Sequence, residues 1–285
     1  MIISVASGKG GTGKTTIAVN LALSLGDVQF LDCDVEEPNA HIFLKPRFTD
    51  KRKIFVPVPE IDESKCNYCG KCREVCAYNA IALPGAAGAG GSSVLVFPHL
   101  CHGCGACSIF CPEKAIKEAG REIGVVESGI KDGMEFIHGR LNVGEAMSPP
   151  LIRKVKERAD STRTVIIDAP PGTSCPVITA VEGSDFCLLV TEPTPFGLND
   201  LVLAAGMLRE LKIPFAVAVN RDGIGYGKVD DYCAGEKIPI LMRIPFSKEI
   251  AGAYSRGEPA VSLFPEFAGQ FRDLFSRIKT VSCGS

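Results

Sequence analysis

Residues 7–16, SGKGGTGKTT, decide the fold of this 285-residue chain. An apolar run, Ile2–Ala6, precedes them and predicts a buried strand. The segment TIAVNLALSL that follows has helical periodicity, and Gly26 predicts its end. Strand, glycine-rich loop and helix therefore come in the order of a phosphate-binding loop, because backbone N–H groups and the helix N-terminus can then face a phosphate.

The loop follows the pattern G-x-x-x-x-G-K-S/T, which predicts individual roles. We expect Lys14 to pair with the β- and γ-phosphates of a nucleotide, and the Thr15 hydroxyl to hold Mg²⁺. The alternative is a glycine-rich turn without a ligand, but the flanking strand and helix favour the phosphate loop. The nucleotide-binding residues predicted in the loop are Gly8, Gly10, Gly11, Thr12, Gly13, Lys14, Thr15 and Thr16.

Two other strand ends carry acidic residues. Asp168 ends the apolar run in TRTVIIDAPPGTS, and we expect it to orient Mg²⁺ through water, with the Gly172 N–H sensing the γ-phosphate. In QFLDCDVEEPN, Asp34 is placed to reach the attacking water, and Asp32 to support the strand tip. Either Asp34 or Asp32 could instead only cap the following turn.

Three segments together carry a family resemblance: GKGGTGKTT (8–16), DCDVEEPN (32–39) and DAPPGT (168–173). They resemble the MinD/Mrp branch of the deviant P-loop ATPases, which also includes the nitrogenase iron protein. The resemblance implies an ATP-dependent homodimer in which Lys9 crosses to the phosphates of the partner's ATP, as an arginine finger would. It also implies that Asn220 reads the adenine edge, with Arg221 beside it and Pro245 near the base. On residue type alone, Asn220 could equally be a turn former.

The remaining pattern predicts an α/β fold, a P-loop parallel sheet covered by helices on both faces. Expected strands alternate with helical stretches such as 197–211 and 263–279. Ligands of such sheets bind at the carboxyl ends of the strands, where all these motifs lie. We expect residues 1–59 and 120–285 to form this ATPase domain. The expected strands after the first lie near 28–32, 164–168, 186–190, 214–219 and 240–244.

Eight of the thirteen cysteines form two copies of C-x₂-C-x₂-C-x₃-C, and each cysteine recurs 35 residues later. This repetition indicates an internal duplication. Thiols stay reduced in the cytosol, so the pattern favours metal ligation over disulfides. The first copy is Cys66, Cys69, Cys72 and Cys76, and the second is Cys101, Cys104, Cys107 and Cys111.

The doubled pattern resembles the bacterial two-cluster ferredoxin. The resemblance implies a small α+β ferredoxin-like domain inserted at residues 60–119, with two 4Fe–4S clusters that each take a fourth ligand from the other half. Zinc is the rival, although structural zinc usually takes two spaced pairs of ligands. Pro112 follows the last ligand as the family expects, whereas Ala77 stands after Cys76. His102 lies in a cluster loop, where we expect it to tune hydrogen bonding. The implied ligand sets are Cys66, Cys69, Cys72 and Cys111 for one cluster, and Cys101, Cys104, Cys107 and Cys76 for the other.

Composition excludes several classes of function. The chain is 46% apolar with a formal net charge of −2, so we expect a globular, cytoplasmic protein that binds no nucleic acid. No apolar run approaches the roughly 18 residues of a membrane span. Apolar residues at helical spacing in 267–278 predict a last helix that docks on the sheet rather than on a membrane. Cys33 and Cys187 are expected core residues, and Cys175 a buried or helix-start thiol rather than a metal ligand.

Two functions from different classes remain. In the first, ATP closes the dimer, and electrons or a metallocluster pass to an unidentified redox or metallocluster partner. In the second, the chain is a MinD-like positioning or scaffold ATPase whose clusters are structural or redox-sensing. The cysteine-rich insert favours the first. A third function, cluster donation as in Mrp carriers, is weakened because their C-terminal Cys-Pro-x-Cys-type pair has no counterpart here.

Overall fold

The structure, a computed structural model, describes residues 1–84 and 93–283. The sequence predicts a hairpin tip at the glycine-rich stretch 85–93, which lies outside the described residues except for Ser93. The strands are β1 Ile2–Ala6, β2 Val28–Asp32, β3 Arg47–Ile61, β4 Ile81–Ala82, β5 Leu95–Val96, β6 Ile116–Lys131, β7 Met134–Leu141, β8 Thr164–Asp168, β9 Phe186–Thr191, β10 Phe215–Asp222 and β11 Ile240–Pro245. The helices are α1 Lys14–Leu25, α2 Ala40–Leu44, α3 Lys71–Glu74, α4 Ala106–Ile109, α5 Pro149–Lys156, α6 Cys175–Val181, α7 Pro195–Glu210, α8 Lys228–Gly235, α9 Lys248–Ser255, α10 Ala260–Leu263 and α11 Pro265–Cys283.

Most of the large sheet is parallel, as the sequence predicts. In the described residues, nine strands form it in the order β11-β10-β9-β1-β8-β2-β7-β6-β3. The strands from β11 to β7 pair in parallel. Strands β1, β2, β8 and β9 are almost wholly buried, which explains their continuous apolar runs. The predicted α/β fold class is therefore confirmed.

The β7 side of the sheet continues into an antiparallel edge that the sequence analysis did not predict. Asp132 and Gly133 join β6 to β7 with φ values of 49° and 87°, the backbone of a tight hairpin turn. β3 lies beside β6 in the opposite direction, since the Asp62 N–H donates to the Ala115 carbonyl at 2.7 Å at the end of β3. Between β2 and Asp168, the chain therefore holds these long paired strands in addition to the cysteine segment.

The last helix packs on the sheet as predicted. Phe271, Leu274 and Ile278 of α11 are at most 1% exposed and join α1 and the sheet in one hydrophobic core. Each such side chain contributes about 1.5–3 kcal/mol when it is fully buried. Cys33 and Cys187 are also fully buried, as expected. No helix within the described ranges is long and apolar enough to cross a membrane.

The chain divides into two compact units. The first comprises Met1–Arg52, Val126–Arg140 and the residues from Leu151 onward, and the second comprises Lys53–Val125 and Leu141–Pro150. The second unit is wider than the expected insert, 60–119. Its additional residues come from β3, β6 and the segment after β7, where an ion pair between Arg121 and the buried Glu145 side chain holds the chain.

Candidate functional site

The carboxyl ends of β1, β8 and β2 meet beside the phosphate-binding loop. Asp168 lies opposite Val5 of β1 on one side and opposite Asp32 of β2 on the other. In parallel sheets this edge is the ligand-binding edge. The structure therefore brings together the loop and the acidic residues that the sequence analysis selected.

Two glycines of the loop are required by close packing. Gly13 precedes α1 with a φ of 93°, and a Cβ there would lie 2.3 Å from Asn220 Nδ2. A Cβ on Gly8 would lie 2.2 Å from the carbonyl oxygen of Asp200 in α7. Both distances are shorter than real Cβ contacts, so neither position accepts a side chain without a shift of its neighbours. The loop is thereby held against β10 and α7.

Asp168 offers a donor set that fits Mg²⁺. It is 1% exposed, and neither carboxylate oxygen has a hydrogen-bond partner among the described residues. Burial raises the pKa of Asp168, although the Lys14 ammonium and the nearby Thr15 hydroxyl lower it. An unpartnered buried carboxylate is costly, and oxygen ligands of this kind suit Mg²⁺. Thr15 and Asp168 are the side chains that would hold the ion.

Asp34 and Asp32 have different surroundings. Asp32 is fully buried, and its carboxylate accepts hydrogen bonds from the N–H groups of Asp34 and Ala40, both at 3.1 Å. It therefore braces the turn that presents Asp34. Burial raises the pKa of Asp34 to about 6, while Lys14 lowers it and Glu37 raises it. The pKa of Asp34 therefore lies above that of an ordinary aspartate.

Lys9 is held by an acid that the sequence analysis missed. Its ammonium pairs with Glu192 Oε1 at 2.5 Å, and Glu192 Oε2 binds Arg221 Nη1 at 2.8 Å. Glu192 is only 7% exposed. The available signal was an acid directly after the apolar strand end in TEPTPFG. Within one chain, Lys9 and Arg221 therefore share Glu192.

The residues expected near the base line one open cavity of about 270 Å³. Asn220 Nδ2 donates to the Thr12 carbonyl at 2.8 Å, which ties the loop to the end of β10. The Gly172 N–H, expected to sense the γ-phosphate, donates to the Ser7 carbonyl at 3.0 Å. A cavity of this size suits a small-molecule ligand. Among the residues lining it are Gly11, Gly13, Thr16, Asn220, Arg221, Pro245, Phe246 and Tyr254.

Two cavities in the second unit divide the eight duplicated cysteines. We call them the first cysteine cavity and the second cysteine cavity, in the order of the half that supplies most of their cysteines. Each receives three cysteines from one half and the last cysteine from the other, the division that the ferredoxin resemblance implies. The first is lined by Cys66, Cys69, Cys72 and Cys111, and the second by Cys101, Cys104, Cys107 and Cys76.

The two halves also repeat their hydrogen bonds to sulfur. Cys66 and Cys101 each accept a backbone N–H at 3.4 Å from the residue two positions later. Cys76 and Cys111 each accept one at 3.3 Å from the residue four positions later. The duplication seen in the sequence therefore extends to the local backbone structure.

Each cysteine cavity is lined by four cysteines, the number of thiolates that one 4Fe–4S cluster takes. In the part of the chain that the structure describes, no group of three or more His, Cys, Asp or Glu side chains is arranged to hold a metal ion. A 4Fe–4S cluster makes a different geometric demand, because each of its four irons takes its own thiolate. The four ligands therefore surround the cluster instead of converging on one ion. Four cysteines around each cavity fit that demand.

Cys175 is exposed at the first position of α6, in the first unit.

Comparisons with known proteins agree with the fold. The family model described as the CobQ/CobB/MinD/ParA nucleotide binding domain matches residues 3–260. An uncharacterised protein of Methanocaldococcus jannaschii is 32% identical over 271 residues, which cover 90% of each chain. The iron-sulfur cluster carrier protein of Aquifex aeolicus is 24% identical over 93% of this chain and 63% of its own length. The septum site-determining protein MinD of Pyrococcus horikoshii, solved with Mg-ADP, matches with a TM-score of 0.56 and 20% identity over 96% of this chain and 93% of that one.

Proposed function

Because the chain belongs to the CobQ/CobB/MinD/ParA family of nucleotide-binding domains, we propose that it is a Mg²⁺-dependent ATPase carrying two 4Fe–4S clusters. In this proposal, ATP-dependent dimerisation drives the transfer of electrons, or of a metallocluster, to a partner protein. The observation that carries the proposal is the pair of cysteine cavities in a chain whose other unit has a complete phosphate-binding loop.

The ATPase part of the proposal rests on the residues around the loop. Lys14 binds the β- and γ-phosphates. Thr15 would hold Mg²⁺ and Asp168 would orient it through water, and the ion when bound neutralises charge on the phosphates. Asp34 orients the attacking water. Its pKa of about 6 supports this role, because a base works best when its pKa lies near the working pH. Asn220, Arg221 and Pro245 receive the adenine end.

The cluster part of the proposal rests on the cysteine cavities and on a relative. The Aquifex aeolicus protein of 24% identity is named an iron-sulfur cluster carrier. We assign the eight duplicated cysteines of this chain as the ligands of two 4Fe–4S clusters, in a ferredoxin-like domain centred on residues 60–119. The clusters supply one-electron redox chemistry when bound, and four thiolates are the usual ligand set for each.

Two measurements on protein purified without oxygen test the proposal. Iron and acid-labile sulfide should be present in the amounts of two 4Fe–4S clusters, and zinc in their place would contradict the cluster assignment. Calorimetry should show Mg–ATP binding that Lys14→Ala abolishes, while Asp168→Ala keeps binding but stops hydrolysis, since phosphate contacts survive there. Unchanged ATP affinity in Lys14→Ala would contradict the nucleotide assignment.

A further inference from the structure

The two halves of the cysteine unit differ at one pair of equivalent positions. At each cavity, a side chain of one half contacts a side chain of the other half. One of the two residues directly follows the first cysteine of its half, and the other stands two positions after the last cysteine of its half. At the first cysteine cavity, Asn67 Nδ2 donates to Glu113 Oε1 at 2.9 Å. At the second, the rings of His102 and Tyr78 stack with centroids 3.5 Å apart and 7° between their planes.

The stacked pair lies beside a turn that lacks a proline. Pro112 follows Cys111 and fixes its own φ near −65°, while Ala77 follows Cys76 and leaves φ free. Both turns nevertheless close in the same way. The residue three positions after the cysteine donates to the cysteine carbonyl, at 3.3 Å for Cys76 and 3.2 Å for Cys111. That residue has a φ of 52° in the first half and 48° in the second.

The Cys76 turn therefore lacks the restriction that proline supplies, and Tyr78 is the side chain of this turn that stacks on the other half. Tyr78 belongs to this turn, whereas His102 follows Cys101, a ligand position of the same cavity. The stack thus connects the turn of Cys76, which the first half contributes to this cavity, with the second half, which supplies the other three cysteines. Aromatic pairs contribute energy beyond the burial of their area. At the first cysteine cavity, Pro112 already restricts the turn, and the hydrogen bond between Asn67 and Glu113 is exposed to solvent.

We propose that the Tyr78–His102 stack is a positioning device that holds Cys76 at the second cysteine cavity, in the role that Pro112 has at the first. This inference rests on the proposed function, because it takes a 4Fe–4S cluster as the occupant of each cavity. Tyr78 acts through Cys76 and is not itself a ligand. Since Tyr78 is 43% exposed, its truncation leaves no buried void, and the fold should survive.

The test uses the full chain, purified without oxygen, in two backgrounds that each keep one cavity intact. Cys69→Ser with Cys72→Ser leaves the second cysteine cavity, and Cys104→Ser with Cys107→Ser leaves the first. The measured quantity is the rate at which a ferrous chelator removes iron, with the paramagnetic resonance signal of the reduced cluster as a second readout.

In the background that keeps the second cavity, Tyr78→Ala should speed iron loss by about 2-fold or more, the low end of the usual energy of an aromatic pair. Tyr78→Phe keeps the ring and should behave as the parent. Adding Ala77→Pro to Tyr78→Ala should restore slow release, because proline then restricts the turn. In the other background, Tyr78→Ala should leave the rate unchanged, and the matched change Asn67→Ala should have little effect.

Any of these results would overturn the inference alone: an unchanged rate in Tyr78→Ala, equal acceleration in both backgrounds, or no rescue by Ala77→Pro. Equal sensitivity of the first cavity to Asn67→Ala would also contradict it, because Pro112 is argued to suffice there. A wild-type protein without iron and sulfide would overturn the proposed cluster function and this inference together.

Discussion

At the scale of single residues, burial governs the charges of the nucleotide site. Asp32 and Asp168 lie side by side at the ends of adjacent strands, and both are at most 1% exposed. Desolvation raises the pKa of each, and the charge of Asp168 raises that of Asp32 further. Lys14, which is 6% exposed, opposes this effect on Asp168. Ionising these buried carboxyl groups is therefore unfavourable, and a bound cation would reduce that cost.

This arrangement predicts how stability depends on pH. A carboxyl group whose pKa is higher in the folded than in the unfolded state stabilises the fold. This contribution is complete at pH values below the ordinary pKa of about 4, and it is lost as pH rises through the raised pKa. Asp168→Asn does not titrate. The quantity to compare is the free energy of unfolding of Asp168→Asn minus that of wild type, without Mg²⁺ or nucleotide. This difference should be larger near pH 8 than near pH 4 by at least about 1 kcal/mol.

Urea unfolding at several pH values measures this difference. Asp273→Asn, at an exposed position of α11, is the matched control. If the difference in free energy of unfolding between Asp168→Asn and wild type stayed constant across the pH range, the raised pKa of Asp168 would be contradicted.

The residues that the sequence could predict are those fixed by local spacing. Lys14, Thr15 and Asp168 follow directly from a loop pattern and a strand end, and the structure places them together. Glu192 was missed because its role depends on two cations from distant positions, Lys9 and Arg221, which only the tertiary structure brings together.

At the scale of elements, the parallel strands were predictable and the antiparallel edge was not. The parallel strands bury both faces and read as continuous apolar runs. β3, at the sheet edge, is largely exposed, rich in charge, and contains Pro57 and Pro59. Proline within a run argues against a central strand, and edge strands with charge and proline resist further pairing. Such a sequence has little signal to separate it from a loop.

The crossing of ligands between the two cysteine segments gives a prediction at this scale. Because Cys111 lines the first cysteine cavity and Cys76 the second, Cys111→Ser should perturb the cluster of the first, and Cys76→Ser that of the second. Paramagnetic resonance of the reduced variants can distinguish the two signals. If Cys111→Ser instead altered the same signal as Cys107→Ser, each half would hold its own cluster and the crossing would be wrong.

At the scale of the whole molecule, we propose that Lys9 connects one chain to a second copy. In a single chain it pairs with Glu192, so engagement of the partner's phosphates requires that pair to open. Lys9→Ala should therefore still bind ATP as a monomer, but should neither dimerise on binding ATP nor hydrolyse it at the normal rate.

Sedimentation with and without ATP measures this effect of Lys9. Lys228→Ala, which removes an exposed lysine of the same unit, is the control and should dimerise as wild type does. Dimerisation that needs no ATP and ignores Lys9 would count against the ATP-dependent homodimer.

We propose that the nucleotide unit and the cysteine unit are energetically coupled. Strands β3 and β6 each have residues in both units, so a change in one unit has a covalent route to the other. Linkage makes such coupling reciprocal: if ATP binding changes the clusters' reduction potential, reduction must change ATP affinity by the same free energy. Couplings of this kind are usually about 1–3 kcal/mol, which corresponds to about a 5- to 150-fold change in affinity.

The most direct test measures ATP affinity of the oxidised and the dithionite-reduced protein without oxygen, together with the cluster potential with and without a non-hydrolysable ATP analogue. We predict that both quantities change, by equal free energies. If wild-type protein that holds both clusters shows the same ATP affinity in both redox states and an unshifted potential, the transfer function is contradicted. The chain would then be a scaffold ATPase with passive clusters.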